Sequence, residues 1–364
     1  MKNIVFIGAG LASGGAEHQC TQLMNMLIEN GYEVTYASFG EVLDHYEVSP
    51  KVKRVWLGKG KSTIRKIFEV EKYLFAVKAD VIFAFSQRLS TLTLFPMLLR
   101  PRLKVISSER NYTIGAPDQY EKILTRTGIY RRANFIVPNN YSQGKYLAKK
   151  MPSIAKKIRV ITNYTEVDTY APTPLPCNDI PRIGIFCRFE RQKNFHRFID
   201  MLGTLKQRGG PAFHINWYGN HNFRTTVQKE YFDEGLRKIQ EYGVEDYITI
   251  HEPTREVARL IPTFDVMCLP SLHEGFSNSI SEYICCGRPV ICSDVSDNSV
   301  MVHEGENGFL FNPLDVEDMS RAFTAYLKTS PLERMQMAAK SREIAESLFD
   351  KETFIQKYID LIES

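Results

Sequence analysis

The chain has 364 residues, 43% hydrophobic and 24% charged, which excludes a disordered polypeptide and exceeds one comfortable core, so two domains are expected. Mean hydropathy is −0.26, and the longest apolar stretch, Leu89 to Leu99, is broken by threonines and Pro96, short of the ~20 residues that span a membrane. The net charge of +4 hides a split: residues 1–170 hold 25 Lys and Arg against 14 Asp and Glu, and the remainder 21 against 28, as in two domains with different partners.

The N-terminus runs from Met1-Lys2-Asn3 straight into Ile4-Val5-Phe6-Ile7 with no small-residue cleavage site, and reads as a strand rather than a leader peptide. Further strands are expected at Glu33–Ser38, Val52–Leu57, Val81–Phe85, Lys104–Ser107, Phe135–Pro138 and Arg159–Thr162. Helical patterns fall between most of them, at Ala16–Glu29, Thr63–Lys78, Asp118–Arg131 and Ser142–Lys149. The strands are near-continuous apolar runs, the pattern of a parallel sheet covered on both faces. Strand–helix alternation then implies a doubly wound α/β domain.

Pro172, Pro174, Pro176 and Pro181 interrupt this order and mark a linker. The alternation restarts with strands at Arg182–Cys187, His214–Tyr218, Tyr247–His251, Val266–Pro270 and Val290–Ser293. Helices are expected at Asn194–Arg208, Arg224–Tyr242, Arg255–Ile261 and Ser279–Cys286, then at Val316–Leu327, Leu332–Leu348 and Lys351–Ile362. The architecture is thus two Rossmann-like domains, and in such sheets ligands bind beyond the carboxyl ends of the strands. Seven cysteines, odd in number and without a Cys-x-x-Cys pair, sit largely in apolar runs and read as reduced thiols of a cytoplasmic protein.

Three segments carry chemistry. The first loop, Gly8-Ala9-Gly10-Leu11-Ala12-Ser13-Gly14-Gly15-Ala16-Glu17, lies between strand and helix and lets backbone N–H groups approach a phosphate. A dinucleotide fingerprint needs an acid at the end of the second strand, but that strand ends Ala37-Ser38-Phe39-Gly40, with no acid before Glu41. The second segment places Arg188 just after a strand and Lys193 at the next helix start, two cations suited to a diphosphate. In the third, Glu274 follows a strand, Gly275-Phe276-Ser277-Asn278 turns into a helix, and Glu282 lies in its early turns. Free N–H groups at that helix start suit an anion, and the two carboxylates suit sugar hydroxyls. Glu282 has a second reading, since Ser279-x-x-Glu282 is also a capping box.

The Glu-x7-Glu spacing from Glu274 to Glu282, followed by Cys286-Gly287-Arg288-Pro289-Val290, resembles the family 4 glycosyltransferases. These are retaining enzymes of the GT-B fold, with two Rossmann-like domains facing a cleft, that use nucleotide-sugar donors. The resemblance extends to Arg188 and Lys193, to Ser13-Gly14-Gly15-Ala16-Glu17, and to Glu304-Gly305-Glu306-Asn307-Gly308-Phe309-Leu310 with Asp315. It implies an acceptor-binding domain over residues 1–170, a nucleotide-sugar-binding domain over 171–349, and a C-terminal helix over 350–364 returning to the first domain. Glu274 then meets the donor sugar, assisted by the backbone of Gly275, Phe276, Ser277 and Asn278, while Glu282 holds the ribose. Arg188 and Lys193 take the departing diphosphate, and Gly14 and Gly15 reach the donor. Many members carry a histidine after the fifth strand, where this chain has Arg110, beside Glu109; an arginine there can contact phosphate or sugar but cannot serve as a base.

The chain has no Asp-x-Asp motif, and the resemblance implies transfer without a metal or other cofactor, from a UDP- or GDP-linked sugar to a glycan or lipid-linked acceptor in surface polysaccharide synthesis. Nucleic acid is not expected as a partner. Clusters such as Lys59, Lys61, Arg65 and Lys66, or Lys145, Lys149, Lys150, Lys156 and Lys157, suit an anionic leaflet, placing the protein in the cytoplasm or on the inner face of the plasma membrane. The alternatives are an NAD(P)-dependent oxidoreductase using the first glycine loop and a non-catalytic sugar-nucleotide-binding protein.

Overall fold

The computed structural model of the chain describes residues 2–11, 14–39, 45–58, 62–96, 103–110, 119–176, 178–220, 223 and 225–364. Ser13, Glu41, Lys59, Lys61, Asp118, Cys177 and Arg224 lie outside these residues. The chain divides into unit 1, Met1–Tyr164 with Lys351–Ser364, and unit 2, Thr165–Asp350.

Unit 1 runs β1 (Asn3–Gly8), α1 (Gly15–Glu29), β2 (Glu33–Ser38), β3 (Lys53–Trp56), α2 (Thr63–Ala76), β4 (Val81–Ala84), α3 (Gln87–Leu94), β5 (Lys104–Glu109), α4 (Gln119–Arg126), β6 (Phe135–Pro138) and α5 (Tyr141–Lys150). Unit 2 runs β7 (Arg182–Phe186), α6 (Phe195–Gln207), β8 (His214–Tyr218), α7 (Thr226–Tyr242), β9 (Ile248–His251), α8 (Val257–Leu260), β10 (Val266–Leu269), α9 (Asn278–Cys285), β11 (Val290–Ser293), α10 (Asn298–Met301), β12 (Gly308–Phe311), α11 (Val316–Leu327) and α12 (Pro331–Leu348). The last helix, α13 (Lys351–Glu363), belongs to unit 1.

Both units hold a six-stranded parallel sheet, ordered β3-β2-β1-β4-β5-β6 and β12-β11-β10-β7-β8-β9. Each order reverses between its first and fourth strands, which opens a crevice at their carboxyl ends. The central strands β4, β10 and β11 are buried throughout, as the apolar runs require. Edge strand β3 is mostly exposed and polar, which protects an open sheet edge. In unit 2 an aromatic cluster of Phe189, Phe195, Phe198, Trp217 and Phe323 fills the space under α6 and α11. In unit 1, α13 buries Phe354, Ile355, Tyr358, Leu361 and Ile362. Lys2 and Lys104 donate to its last carbonyls, at Ile362 and Leu361, where cations favour the helix dipole.

Four elements differ from the expected order, among them the short helix α10 (Asn298–Met301), which is additional. Arg159–Thr162 is not a strand: the isolated bridge to Ile136 is made by Ile158, just before the segment. Helix α3 is additional and overlaps the run starting at Leu89; nearly every residue is buried and the Thr91 and Thr93 hydroxyls bond carbonyls one turn back, so it shows no polar stripe. Strand β12 is also additional. There, a Cβ on Gly308 would stand 1.9 Å from the Val290 carbonyl oxygen, so the close approach of β11 and β12 requires glycine.

Candidate active site

In unit 2 the functional side chains leave the carboxyl ends of β7 and β10. Strand β7 leads through Arg188 and a 3-10 turn, Arg191–Lys193, into α6. Strand β10 leads through residues 270–277 into α9. The two exits meet where the Lys193 ammonium donates to the Glu274 carboxylate at 2.5 Å, with the side chains 13% and 11% exposed. Burial opposes the charged ammonium, and the Glu274 carboxylate outweighs it, holding the Lys193 pKa above the ordinary lysine value. Arg188 lies on the same loop, 64% exposed, and pairs with Glu190 at 3.1 Å. So two cations, each paired with a carboxylate, occupy one sheet edge, Lys193 largely buried and Arg188 exposed.

Hydrogen bonds from residues without charge hold the Glu274 loop. The Leu272 N–H donates to the Gln192 carbonyl at 2.7 Å, and the Gln192 amide donates to the His273 carbonyl at 2.8 Å. The Ser296 hydroxyl donates to the Glu274 carbonyl at 2.5 Å. Among the described residues, the two non-glycine residues with left-handed backbone are Asn194, φ 60°, next to Lys193, and Ser296, φ 53°. Backbone strain therefore falls on both sides of the Lys193–Glu274 pair. The sequence carried no signal for Ser296 or Gln192, which act through main-chain carbonyls.

Helix α9 starts at Asn278 with Ser277 as N-cap, its hydroxyl accepting from the Ile280 N–H at 3.3 Å. The capping-box reading of Glu282 is thereby removed: Ser279 lies inside the helix and donates to the Phe186 carbonyl. Glu282 sits deeper in α9, and burial pushes its pKa up to about 7 while a hydrogen bond from the Tyr170 hydroxyl draws it down. Phe276 turns its ring into the core against Phe349, leaving its backbone for a ligand. The first turn of α9 directs its N–H groups beyond the sheet edge.

Other motif residues are structural. The buried Arg288 guanidinium donates to carbonyls of Thr173, Pro174, Pro262, Cys286 and Gly287. Arg342 takes those of Val167 and Tyr170. Together they fasten the proline-rich segment to unit 2, so the division between units falls after Tyr164, earlier than residue 170. Glu304 accepts from the Leu310 N–H, Asn307 bonds Met301 and His303, and Asp315 caps α11.

In unit 1, Gly14 caps α1, and its N–H and carbonyl both meet the Tyr46 hydroxyl at 3.3 Å; Gly15 opens the helix. The Tyr36 hydroxyl likewise engages both backbone groups of Gly10 and leaves no room for a Cβ at Gly8. Two tyrosine hydroxyls therefore shape this loop. Arg110 follows β5, and its guanidinium donates to Ser108 at 2.8 Å, to Asn163 at 2.9 Å and to Tyr358 of α13 at 2.7 Å, lying over the Phe85 ring at 4.3 Å. None of these partners is a carboxylate, so Arg110 is a fixed cation at the carboxyl edge of the first sheet. Glu109 points the other way, buried, accepting from Tyr130 at 2.6 Å.

The lysine cluster of residues 145–157 is not uniformly available: Lys150 pairs with the buried Glu121, and Lys157 donates to the Arg131 and Ala133 carbonyls. Among the described residues no group of three or more His, Cys, Asp and Glu is arranged to hold a metal ion. No helix among them is long and apolar enough to cross a membrane.

Residues 180–329 match the family described as Glycosyl transferases group 1. The lipopolysaccharide core biosynthesis glycosyltransferase LpsE of Rhizobium meliloti is 25% identical over 249 residues, covering 66% of this chain and 67% of that protein. An uncharacterised glycosyltransferase of Haemophilus influenzae is 22% identical over 363 residues, covering 95% of this chain and 96% of that protein. The crystal structure of Anabaena Alr3699/HepE in complex with UDP and glucose superposes with a TM-score of 0.81 at 17% identity, over 100% of both chains. That likeness is one of fold.

Proposed function

We propose that the chain, a glycosyltransferase whose residues 180–329 match the group 1 family and whose fold is GT-B, transfers a sugar, with retention, from a nucleoside-diphosphate donor to a glycan or lipid-linked acceptor in surface polysaccharide synthesis. The oxidoreductase and non-catalytic readings give way to a transferase. The observation that carries the proposal is the Lys193–Glu274 pair, with Arg188 beside it and the start of α9 behind it.

In this reading Glu274 accepts hydrogen bonds from hydroxyls of the donor sugar, and the backbone of Gly275, Phe276, Ser277 and Asn278 supports the same group. Glu282 accepts from the ribose. As the bond between the anomeric carbon and the phosphate oxygen breaks, negative charge grows on the diphosphate, and in this reading Arg188 and Lys193 stabilise it. The acceptor hydroxyl attacks the anomeric carbon on the face the diphosphate leaves, and its proton passes to the departing phosphate oxygen. Glu274 is engaged by Lys193 and acts through hydrogen bonds, not as a covalent nucleophile. The two cations carry the diphosphate charge, so transfer continues in the presence of EDTA. In unit 1, Gly14 and Gly15 contact the donor and Arg110 contacts an anionic or hydroxyl group.

The Anabaena structure holds UDP and glucose, and LpsE works in lipopolysaccharide core biosynthesis, so UDP-linked sugars lead the donor candidates and GDP-linked sugars follow. A thermal-shift screen of uridine, guanosine and adenosine diphosphates and their sugars tests the donor class. One nucleotide series should raise the melting temperature, and Glu274→Ala should abolish transfer from its sugar. A covalent glycosyl-enzyme seen by mass spectrometry, or full transfer by Glu274→Ala, would refute the mechanism.

A further inference from the structure

Arg110 leaves the carboxyl end of β5 and is partly buried. Three neutral oxygens hold its guanidinium: the Ser108 hydroxyl on Nε, the Asn163 amide on Nη1 and the Tyr358 hydroxyl on Nη2. The ring of Phe85, which follows β4, lies against its face. Asn163 is itself fixed, because the Asn139 amide donates to the same oxygen at 3.4 Å and the Asn140 amide donates to Asn139 at 3.0 Å. The cation is thus set in place from the exits of β4 and β6 and from α13, without a carboxylate.

A partly buried cation without an anion is costly, since neutral dipoles replace only part of its hydration. Neighbouring carboxylates are turned elsewhere. Glu109 is buried and accepts from Tyr130. Glu17 folds back on its own helix start, where its oxygen would stand 2.2 Å from a Cβ on Gly14. Two buried side chains feel the Arg110 charge, and both are neutral: burial raises the pKa of the Cys20 thiol and the Tyr358 hydroxyl, and Arg110 acts against that in each. A guanidinium has five N–H groups, and Nε, Nη1 and Nη2 each spend one here, which leaves two for a guest. Unit 1 as a whole carries a net +12, a field that draws anions toward it. A fixed arginine fork without a carboxylate partner among the described residues fits a phosphate or a carboxylate.

We propose that Arg110 receives an anionic group of the acceptor, so that the acceptor is an acidic sugar, bearing a phosphate or a carboxylate, and not a neutral one. The proposal rests on the transfer reading, in which unit 1 takes the acceptor, and narrows that acceptor from any glycan to an acidic one. Arg110 stays charged and moves no proton; it binds and orients.

Titration calorimetry of the full chain with glucose 6-phosphate, glucuronate and glucose tests it. At least one of the two anions should bind about tenfold or more tightly than glucose, as one charge-assisted contact provides. Preference for the first identifies a phosphate, and preference for the second a carboxylate. Arg188→Ala/Lys193→Ala, which removes the cations of unit 2, should leave this binding unchanged. Arg110→Gln should abolish the preference for anions, and Arg110→Lys should restore part of it. Tyr358→Phe, which removes a partner of the guanidinium but no charge, should retain it. A parent that binds both anions no better than glucose would overturn the proposal, whatever the variants do. So would anion binding that survives Arg110→Gln or that falls only in Arg188→Ala/Lys193→Ala. Anion binding through Arg110 in a chain that binds no nucleoside diphosphate would instead refute the transfer reading and leave the anion site standing.

Discussion

At Ser296 the backbone holds φ at 53°, a conformation glycine would occupy about 1 kcal/mol more comfortably. The hydroxyl donates to the Glu274 carbonyl, which gives serine a use that glycine lacks. Ser296→Gly should therefore keep or raise the melting temperature, Ser296→Ala should lower it, and both should slow transfer. Unchanged transfer in both variants would show that Ser296 does not position Glu274. Glu282 supplies a pH test. Its pKa of about 7 in the folded protein lies above that of an ordinary carboxyl, so the folded state binds more protons. Its contribution to stability falls as pH rises from the ordinary carboxylate range to about 7 and stays reduced above it. Glu282→Gln should remove that fall, and donor affinity of the parent should rise through about pH 7 as the carboxylate forms. A parent and variant with parallel stability–pH curves would contradict the assignment. Arg188, Lys193, Glu274 and Glu282 were legible as candidates because charged residues in loops after apolar strands stand out. Ser296, Gln192, Asn163 and Tyr358 were not, because a residue that acts through a carbonyl or across 248 positions leaves no local pattern.

The elements themselves were read from two periodicities, and the misreadings share a cause. Helix α3 is buried except at Arg88, and the hydroxyls of Ser90, Thr91 and Thr93 bond Ser107 and preceding carbonyls; a helix without a polar face looks like any apolar run. Arg159–Thr162 has strand-like composition but forms no ladder with β6, the one bridge lying before it at Ile158; composition alone does not make a strand. The turn from α9 to β11 shows how a motif can be structural. Arg288 is buried among carbonyls from the proline-rich segment and its own turn. Arg288→Met should cost at least about 3 kcal/mol in urea unfolding, since those carbonyls lose their donor without gaining water. A loss below about 1 kcal/mol would mean the segment finds other partners.

For the whole molecule, alternation of strand and helix was enough to expect two doubly wound sheets, and both sheets follow the same strand order. The charge asymmetry becomes sharper when taken by unit: unit 1 carries a net +12 and unit 2 a net −8. The acidic unit nevertheless gathers Arg188 and Lys193 at one sheet edge, so in the proposed function local placement and not net charge selects the diphosphate. The measurement that tests this most directly is titration calorimetry of the parent and of Arg188→Ala/Lys193→Ala with the nucleoside diphosphate giving the largest thermal shift. The account predicts one site in the parent and a loss of about a hundredfold in affinity in the variant, as expected for two charge-assisted contacts. Equal affinity in the two proteins would contradict it.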